Sequence, residues 1–210
     1  MHVLKSKKER ITLEYGRQTL NGKPYNHTGI DIIKKVASCD WEIAIQRGKV
    51  VALVTNIKGF KSGSYGNYVM LEHGNGVRTL YAHIKYGTIK VKKGDIVEQG
   101  QVLGYMGASG NAYGAHLHFE VRVNGKQVNP KPYLEDKKKI EPYREYKVVS
   151  EEEGLWLRKG AGLKYAKIVC MPYKAKVEIL DNKTTKADGY NWINVKYENY
   201  TGYCANEYLK

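Results

Sequence analysis

The sequence predicts an all-β chain made of two domains, an antiparallel β-sheet domain followed by a small β-barrel. Three observations lead there. Among 210 residues there are 18 tyrosines and 22 glycines but only two phenylalanines, a composition of half-buried strands and frequent turns rather than of helical bundles. The candidate strands are short and bounded by glycine-containing turns, with no alternation of helix and strand. Residues 135–146 (EDKKKIEPYREY) then break the pattern with dense charge, a proline and no periodicity, which marks a linker between a domain at 1–134 and another at 147–210.

Within the first domain, residues 49–56 are apolar enough for a buried strand, introduced by Arg47-Gly48. Residues 67–73 and 77–84 flank Gly74-Asn75-Gly76, a hairpin signal. Lys93-Gly94-Asp95 and Gln99-Gly100-Gln101 punctuate the strands that follow, and 117–123 alternate apolar and polar side chains before Asn124-Gly125. In the second domain short strands are expected at 148–149, 155–157, 168–171, 176–180, 192–195 and 200–204, a set that suits one small barrel.

Charge narrows the function classes. The chain carries a net +14, of which residues 1–134 hold +11 (20 lysines and arginines against 9 acidic residues). Such a surface concentrates polyanions: nucleic acid, anionic lipid or an anionic cell wall. Nucleic acid is set aside, because no basic helix or recognition motif accompanies the charge. No apolar run approaches the ~18 residues of a membrane span. Residues 1–10 are charged and lack an apolar stretch, so they do not read as a secretory signal, and synthesis in a cytoplasm is expected. Cys39, Cys170 and Cys204 are scattered singly, which argues against disulfides and thiolate metal sites and for free buried thiols.

The chemistry lies with the histidines. In 116–121 (HLHFEV) alternate side chains share a face, so His116, His118 and Glu120 project one way and Leu117, Phe119 and Val121 the other, into a core. Two imidazoles about 7 Å apart on a rigid strand can serve one metal centre. The same alternation sets Asp31 opposite Ile30 and Ile32, and sets His83 away from Leu80, Ala82 and Ile84. His27 completes the group, with Gly29 and Gly114 placed where close backbone approach is useful. Imidazoles plus one carboxylate suit zinc, iron or another divalent metal, and three protein ligands leave a fourth position for water. His2 and His73 read as surface or structurally satisfied residues, His73 hydrogen-bonding beside its hairpin turn.

His27-Thr28-Gly29-Ile30-Asp31, Tyr81-Ala82-His83 and His116-Leu117-His118-Phe119-Glu120 resemble, in order, the three signature segments of the LytM/lysostaphin-type zinc metallopeptidases. The segments Tyr65-Gly66-Asn67-Tyr68-Val69 and Asn129-Pro130 match too, and the likeness runs from about Ile11 to Leu134. The resemblance implies a peptidase that cuts peptide bonds in bacterial peptidoglycan, with one zinc ion bound by His27, Asp31 and His118 and an unligated catalytic pair, His83 and His116. One of that pair takes a proton from the attacking water while the other stabilises the oxyanion. The sequence departs from the pattern at 32–47, a longer passage where the family has a short groove-walling loop.

The C-terminal part is similar to bacterial SH3-type wall-binding domains at Leu155-Trp156-Leu157-Arg158-Lys159-Gly160 and Thr201-Gly202-Tyr203-Cys204-Ala205. Trp156, Tyr165, Trp192 and Tyr203 are candidates either to line a groove there or to pack the barrel. Peptidoglycan and anionic wall polymers are the expected partners. The layout resembles a bacteriophage endolysin made in the host cytoplasm, with a secreted autolysin or a catalytically silent wall binder as alternatives.

Overall fold

The structure, a computed structural model, describes residues 1–20, 22–34 and 40–210 and divides into two compact units, Met1–Tyr143 and Arg144–Lys210. The first unit contains β1 (Glu9–Leu13), β2 (Gly16–Leu20), β3 (Lys23–His27), β4 (Ile30–Lys34), β5 (Trp41–Ile43), β6 (Gly48–Val54), β7 (Asn67–Glu72), β8 (Val77–Ile84), β9 (Ile96–Val97), β10 (Val102–Tyr105), β11 (Leu117–Val123) and β12 (Lys126–Val128). Its main sheet runs β1-β4-β11-β8-β7-β6-β9 with β12 added on β11, while β2–β3 and β5–β10 form two separate pairs. The pairings between these strands are antiparallel.

Register decides what each face of the sheet does. Ile30, Phe119, Tyr81 and Val69 stand opposite one another across β4, β11, β8 and β7, and all four are fully buried. Burying each large side chain of this kind contributes about 1.5–3 kcal/mol. One residue along, Asp31, His118 and Ala82 make the corresponding row on the other face. Because side chains alternate with period 2, the apolar row holds the polar row in place: a one-residue slip would send Phe119 to solvent and His118 into the core.

Turn chemistry follows the sequence. At Gly74-Asn75-Gly76 both Asn75 and Gly76 take positive φ (55° and 70°), which glycine and asparagine tolerate best. The passage 40–47, expected to wall a groove, instead enters the core: Trp41–Ile43 pairs with β10, and Ile43, Ala44 and Ile45 are buried. Of the passage 32–47, Ile32–Lys34 belong to β4, and 35–39, Cys39 included, lie outside the described residues. The stretch 135–146 is shared between the units. Lys131–Leu134 forms one helical turn, Ile140 is buried in the first core, and the Tyr143 N–H donates to the Arg47 carbonyl at 3.0 Å. Strand β13 (Glu145–Val148) already belongs to the second unit.

In that unit β14 (Leu155–Arg158), β15 (Lys167–Met171), β16 (Lys176–Ala187), β17 (Tyr190–Tyr197) and β18 (Tyr200–Ala205) complete a sheet ordered β13-β16-β17-β18-β14-β15 around Leu157, Val177, Ile179, Val195 and Cys204. Strand β16 runs on to Ala187 because register shifts at Asp181 and Thr184 bend it while keeping it paired to β17. Burial pushes the Cys204 thiol up to about 12, so it is an inert core group, whereas Cys170 is only half-buried. Trp192 is buried with its indole N–H donating to the Ala187 carbonyl at 2.9 Å, which makes it packing rather than groove. Trp156 and Tyr165 remain exposed.

His73 is buried, as a structural residue should be, but it bonds across the sheet instead of within the hairpin turn. Its Nδ1–H donates to the Arg47 carbonyl (3.0 Å), and its Nε2 accepts from the Thr79 hydroxyl (2.8 Å). The Thr79 hydroxyl also lies 3.4 Å from that of Tyr81, whose oxygen takes the Ile45 N–H. This relay requires a neutral imidazole, and burial lowers the His73 pKa from 6.5 to about 4. The unfolded chain therefore binds the extra proton first, and stability falls as pH drops from about 6.5 to about 4. We expect His73 to contribute a loss of up to about 3 kcal/mol over that window, read by denaturant unfolding as the part of the pH dependence that His73→Gln removes.

Candidate metal and catalytic centre

The five sequence-predicted residues come together at one cavity of about 690 Å³, whose lining includes His27, Asp31, His83, His116 and His118. His27 ends β3, Asp31 and His118 face each other across β4 and β11, and His116 sits just before β11. The His27 Nε2, Asp31 Oδ1 and His118 Nδ1 atoms form a tight triangle, with separations of 3.1 Å (His27–Asp31), 3.0 Å (His118–Asp31) and 3.1 Å (His27–His118).

The outer nitrogens explain what faces inward. The His27 Nδ1–H donates to the Glu14 carbonyl at 2.9 Å, and the His118 Nε2–H donates to Glu120 Oε1 at 3.3 Å. Each ring therefore spends its proton outward and aims a lone pair at Asp31, giving three electron-pair donors and no hydrogen between them. A divalent cation satisfies that arrangement. With zinc–nitrogen and zinc–oxygen distances of about 2.0–2.1 Å, tetrahedral ligands lie about 3.3 Å apart, close to the separations here.

Glu120 is the residue whose role sequence reasoning missed. It is fully buried and shares the His118 face, yet it stands behind the triangle rather than in it. Its Oε1 also accepts from the Tyr65 hydroxyl (2.8 Å), and its Oε2 takes two bonds from Arg122 (2.8 and 2.6 Å). Burial would raise its pKa, but His118, Thr28, Tyr65 and Arg122 together pull it down to about 2. The ionised carboxylate locks the His118 tautomer. The signal was present in the sequence, since Glu120 is two residues from His118 and Arg122 two further.

His83 reaches the cavity by a route that simple alternation gets wrong. Ala82 and Leu80 stand opposite His118 and Glu120, so they share the functional face, and strict alternation would turn His83 into the core with Tyr81. Two β8 residues, Ala82 and His83, span one residue of β7 between the pairs Tyr81–Val69 and Ile84–Asn67. In this bulge His83 adopts φ 63°, a left-handed conformation that costs roughly 1 kcal/mol or more for a non-glycine residue and re-aims its side chain. The imidazole ends 4.7 Å from the His116 ring and 5.9 Å from the His118 ring, centroid to centroid. Its Nδ1–H donates to the Ser109 carbonyl at 2.7 Å, leaving Nε2 as the free lone pair. Burial and the neighbouring His116 lower its pKa to about 4. The His116 Nδ1–H donates to the Gly114 carbonyl (2.9 Å) and its Nε2 lies 3.6 Å from Asp31 Oδ1. The His116 N–H bonds to the Gly107 carbonyl at 3.1 Å, which ties the backbone under this imidazole to the glycine-rich turn before it.

Comparisons with known proteins divide the chain in the same way. The model for peptidase family M23 matches residues 25–130 and that for a bacterial SH3 domain matches 153–210. The chain belongs to peptidase family M23, with a bacterial SH3 domain after it. Over 106 residues it is 42% identical to the DD-carboxypeptidase/endopeptidase Mpg of Neisseria meningitidis, a match covering 50% of this chain and 22% of that protein. Over 64 residues it is 47% identical to the peptidoglycan DD-endopeptidase ShyA of Vibrio cholerae, covering 30% of this chain and 14% of that one. The chain thus spans under a quarter of either relative. Among solved structures, a chain of the SpoIIIAH–SpoIIQ complex is similar with a TM-score of 0.53 and 27% identity, covering 63% of this chain and 97% of that chain.

Of the two glycines expected at close approaches, Gly29 is one and Gly114 is not. A Cβ on Gly29 would stand 2.4 Å from the Phe119 carbonyl oxygen and 3.0 Å from His118, whereas Gly114 faces open space. Since the Phe119 backbone cannot yield without moving His118, Gly29→Ala is expected to lower thermal stability and weaken metal uptake at least tenfold, while Gly114→Ala changes neither. Differential scanning calorimetry and competition with a chromogenic chelator check both.

Proposed function

We propose that this chain is a zinc-dependent endopeptidase that hydrolyses peptide bonds in the stem or cross-bridge peptides of bacterial peptidoglycan, held at the wall by its second unit. The observation that carries the reading is the convergence of the His27, Asp31 and His118 lone pairs beside two further imidazoles in one cavity. Membership of family M23 and relatives named peptidoglycan DD-endopeptidases support the substrate class.

His27 Nε2, Asp31 Oδ1 and His118 Nδ1 would hold the metal. Bound there, zinc supplies the Lewis acidity that polarises a scissile carbonyl and makes water nucleophilic at neutral pH. His83 stays neutral in its buried position and takes the water's proton at Nε2. The Ser109 carbonyl keeps its other nitrogen protonated, which supports that role. His116, nearer to solvent and to Asp31, is the second member of the pair and stabilises the developing oxyanion from that side. Glu120 and Arg122 hold the His118 ring so that the donor triangle keeps its shape.

The +11 charge of residues 1–134 gives the catalytic domain an attraction to anionic wall polymers, and tethering to a wall-binding domain raises the local concentration of cross-links. The endolysin setting belongs to the same proposal and rests on that pairing of domains alone.

Two substitutions separate the roles. His118→Ala is expected to lose both bound zinc and lysis of purified walls. His83→Ala keeps close to one zinc per chain by elemental analysis while turnover falls by about 10²–10⁴. A chelator should abolish wild-type lysis and added zinc restore it. Release of the metal from His83→Ala would overturn the ligand set. Separately, wall binding by the whole chain should weaken steadily from low salt to about 0.5 M, as screening shortens the reach of its field. Salt-insensitive pull-down on walls would remove the electrostatic part.

A further inference from the structure

Beside the cavity stands a feature that neither the donor triangle nor the catalytic pair uses. Tyr113 (84% exposed) and Phe60 (58%) are the most exposed large apolar side chains among the described residues, and their rings lie 5.6 Å apart, centroid to centroid, tilted by 43°. Isolated exposed aromatics need no explanation, but a paired, open aromatic surface marks a binding site.

The loops that carry the pair are tied to each other. The Lys61 N–H donates to the Gly110 carbonyl, the Gly110 N–H to the Gly59 carbonyl and the Asn111 N–H to the Ser64 carbonyl, at 2.9, 2.9 and 2.8 Å. A Cβ on either Gly66 or Gly110 would sit 2.2 Å from the other loop's backbone, so this approach admits only glycine. The rings are thus displayed by an ordered support, and little freedom is left to lose on binding. Tyr113 also lines the cavity, together with Gly63, Ser64 and Asn111 from the same two loops. It lies three residues before His116, so the two backbones are within roughly 11 Å of each other.

We propose that Phe60 and Tyr113 form a stacking platform for a sugar ring of the glycan strand. The inference rests on the peptidase reading above and names a second contact for the same substrate. In peptidoglycan the stem peptide is joined to the glycan through a lactyl ether, so a cavity that takes the peptide has a pyranose only a few residues away. Three to four extended residues span roughly 10–14 Å, enough to reach across the at most roughly 11 Å between the Tyr113 and His116 backbones. A pyranose offers one apolar C–H face for the rings and an equatorial rim of hydroxyl and acetamido oxygens. The exposed ammonium groups of Lys58 and Lys61 on the Phe60 loop suit that rim.

The test uses the full chain and two substrates with the same cross-linked peptide, one still carrying its sugars and one freed of them by an amidase. Phe60→Ala leaves the cavity lining untouched and is the informative variant. The platform predicts a rise in KM of about tenfold with kcat unchanged on the sugar-bearing substrate, and no change on the sugar-free one. An equal loss on both would make the pair a peptide subsite, and no loss on either would make it an idle surface; both overturn the proposal. A wild-type chain that cleaves neither substrate would defeat the peptidase reading instead. In that event titration with an N-acetylglucosamine tetramer decides the platform alone. Amide shifts over 110–114 in the wild type that vanish in Tyr113→Ala support it, and their absence from the wild type overturns it.

Discussion

The structure depends on one constraint above the others, the antiparallel register of β4 against β11. Asp31 stands opposite His118 because Ile30 stands opposite Phe119 and Ile32 opposite Leu117. The apolar contacts are fully buried and worth several kcal/mol together, while the polar groups beside them repel or compete for protons when no cation is present. Packing therefore supplies the energy that keeps three electron-pair donors within 3.1 Å of one another, and the donors gain a geometry they could not hold by themselves.

A second layer sets the protons. Around the triangle, the Glu14, Ser109 and Gly114 carbonyls and the Glu120 carboxylate each accept the hydrogen of one imidazole. Four rings of the same chemistry thus acquire fixed tautomers from ordinary backbone groups, with Glu120 the one charged member. Arg122 and Tyr65 keep that charge in place by satisfying its remaining lone pairs. The arrangement divides labour: His27 and His118 offer nitrogens toward Asp31, and His83 and His116 offer theirs toward open cavity.

Much of this was legible in the sequence because it depends on period-2 alternation. The face shared by His116 and His118, the apolar face of Leu117 and Phe119, the Asn75-Gly76 turn and the position of Asp31 all follow from residue spacing. What spacing misses is a break in the period. His83 could not be aimed correctly, because one extra residue in β8 and a positive φ reverse the side its ring would take, and histidine gives no warning of left-handed backbone as glycine does. Long-range partners were hidden for a different reason. The Ser109 carbonyl under His83 and the Arg47 carbonyl at His73 are main-chain atoms 26 residues away in each case, and no side-chain pattern announces them. The segment 135–146 misled through composition, since its dense charge conceals Ile140, whose single apolar side chain docks it on the first core.

The β8 bulge leaves the chain with two separable capacities under different structural control. The donor triangle is written into strand pairing, where every neighbouring contact defends it, whereas the aim of the His83 ring hangs on one residue's backbone excursion beside the sheet. Loss of a single codon near that excursion would realign the strand without disturbing the cup across it. A site built in this way stands one short deletion from losing one of its imidazoles while keeping its three-donor cup.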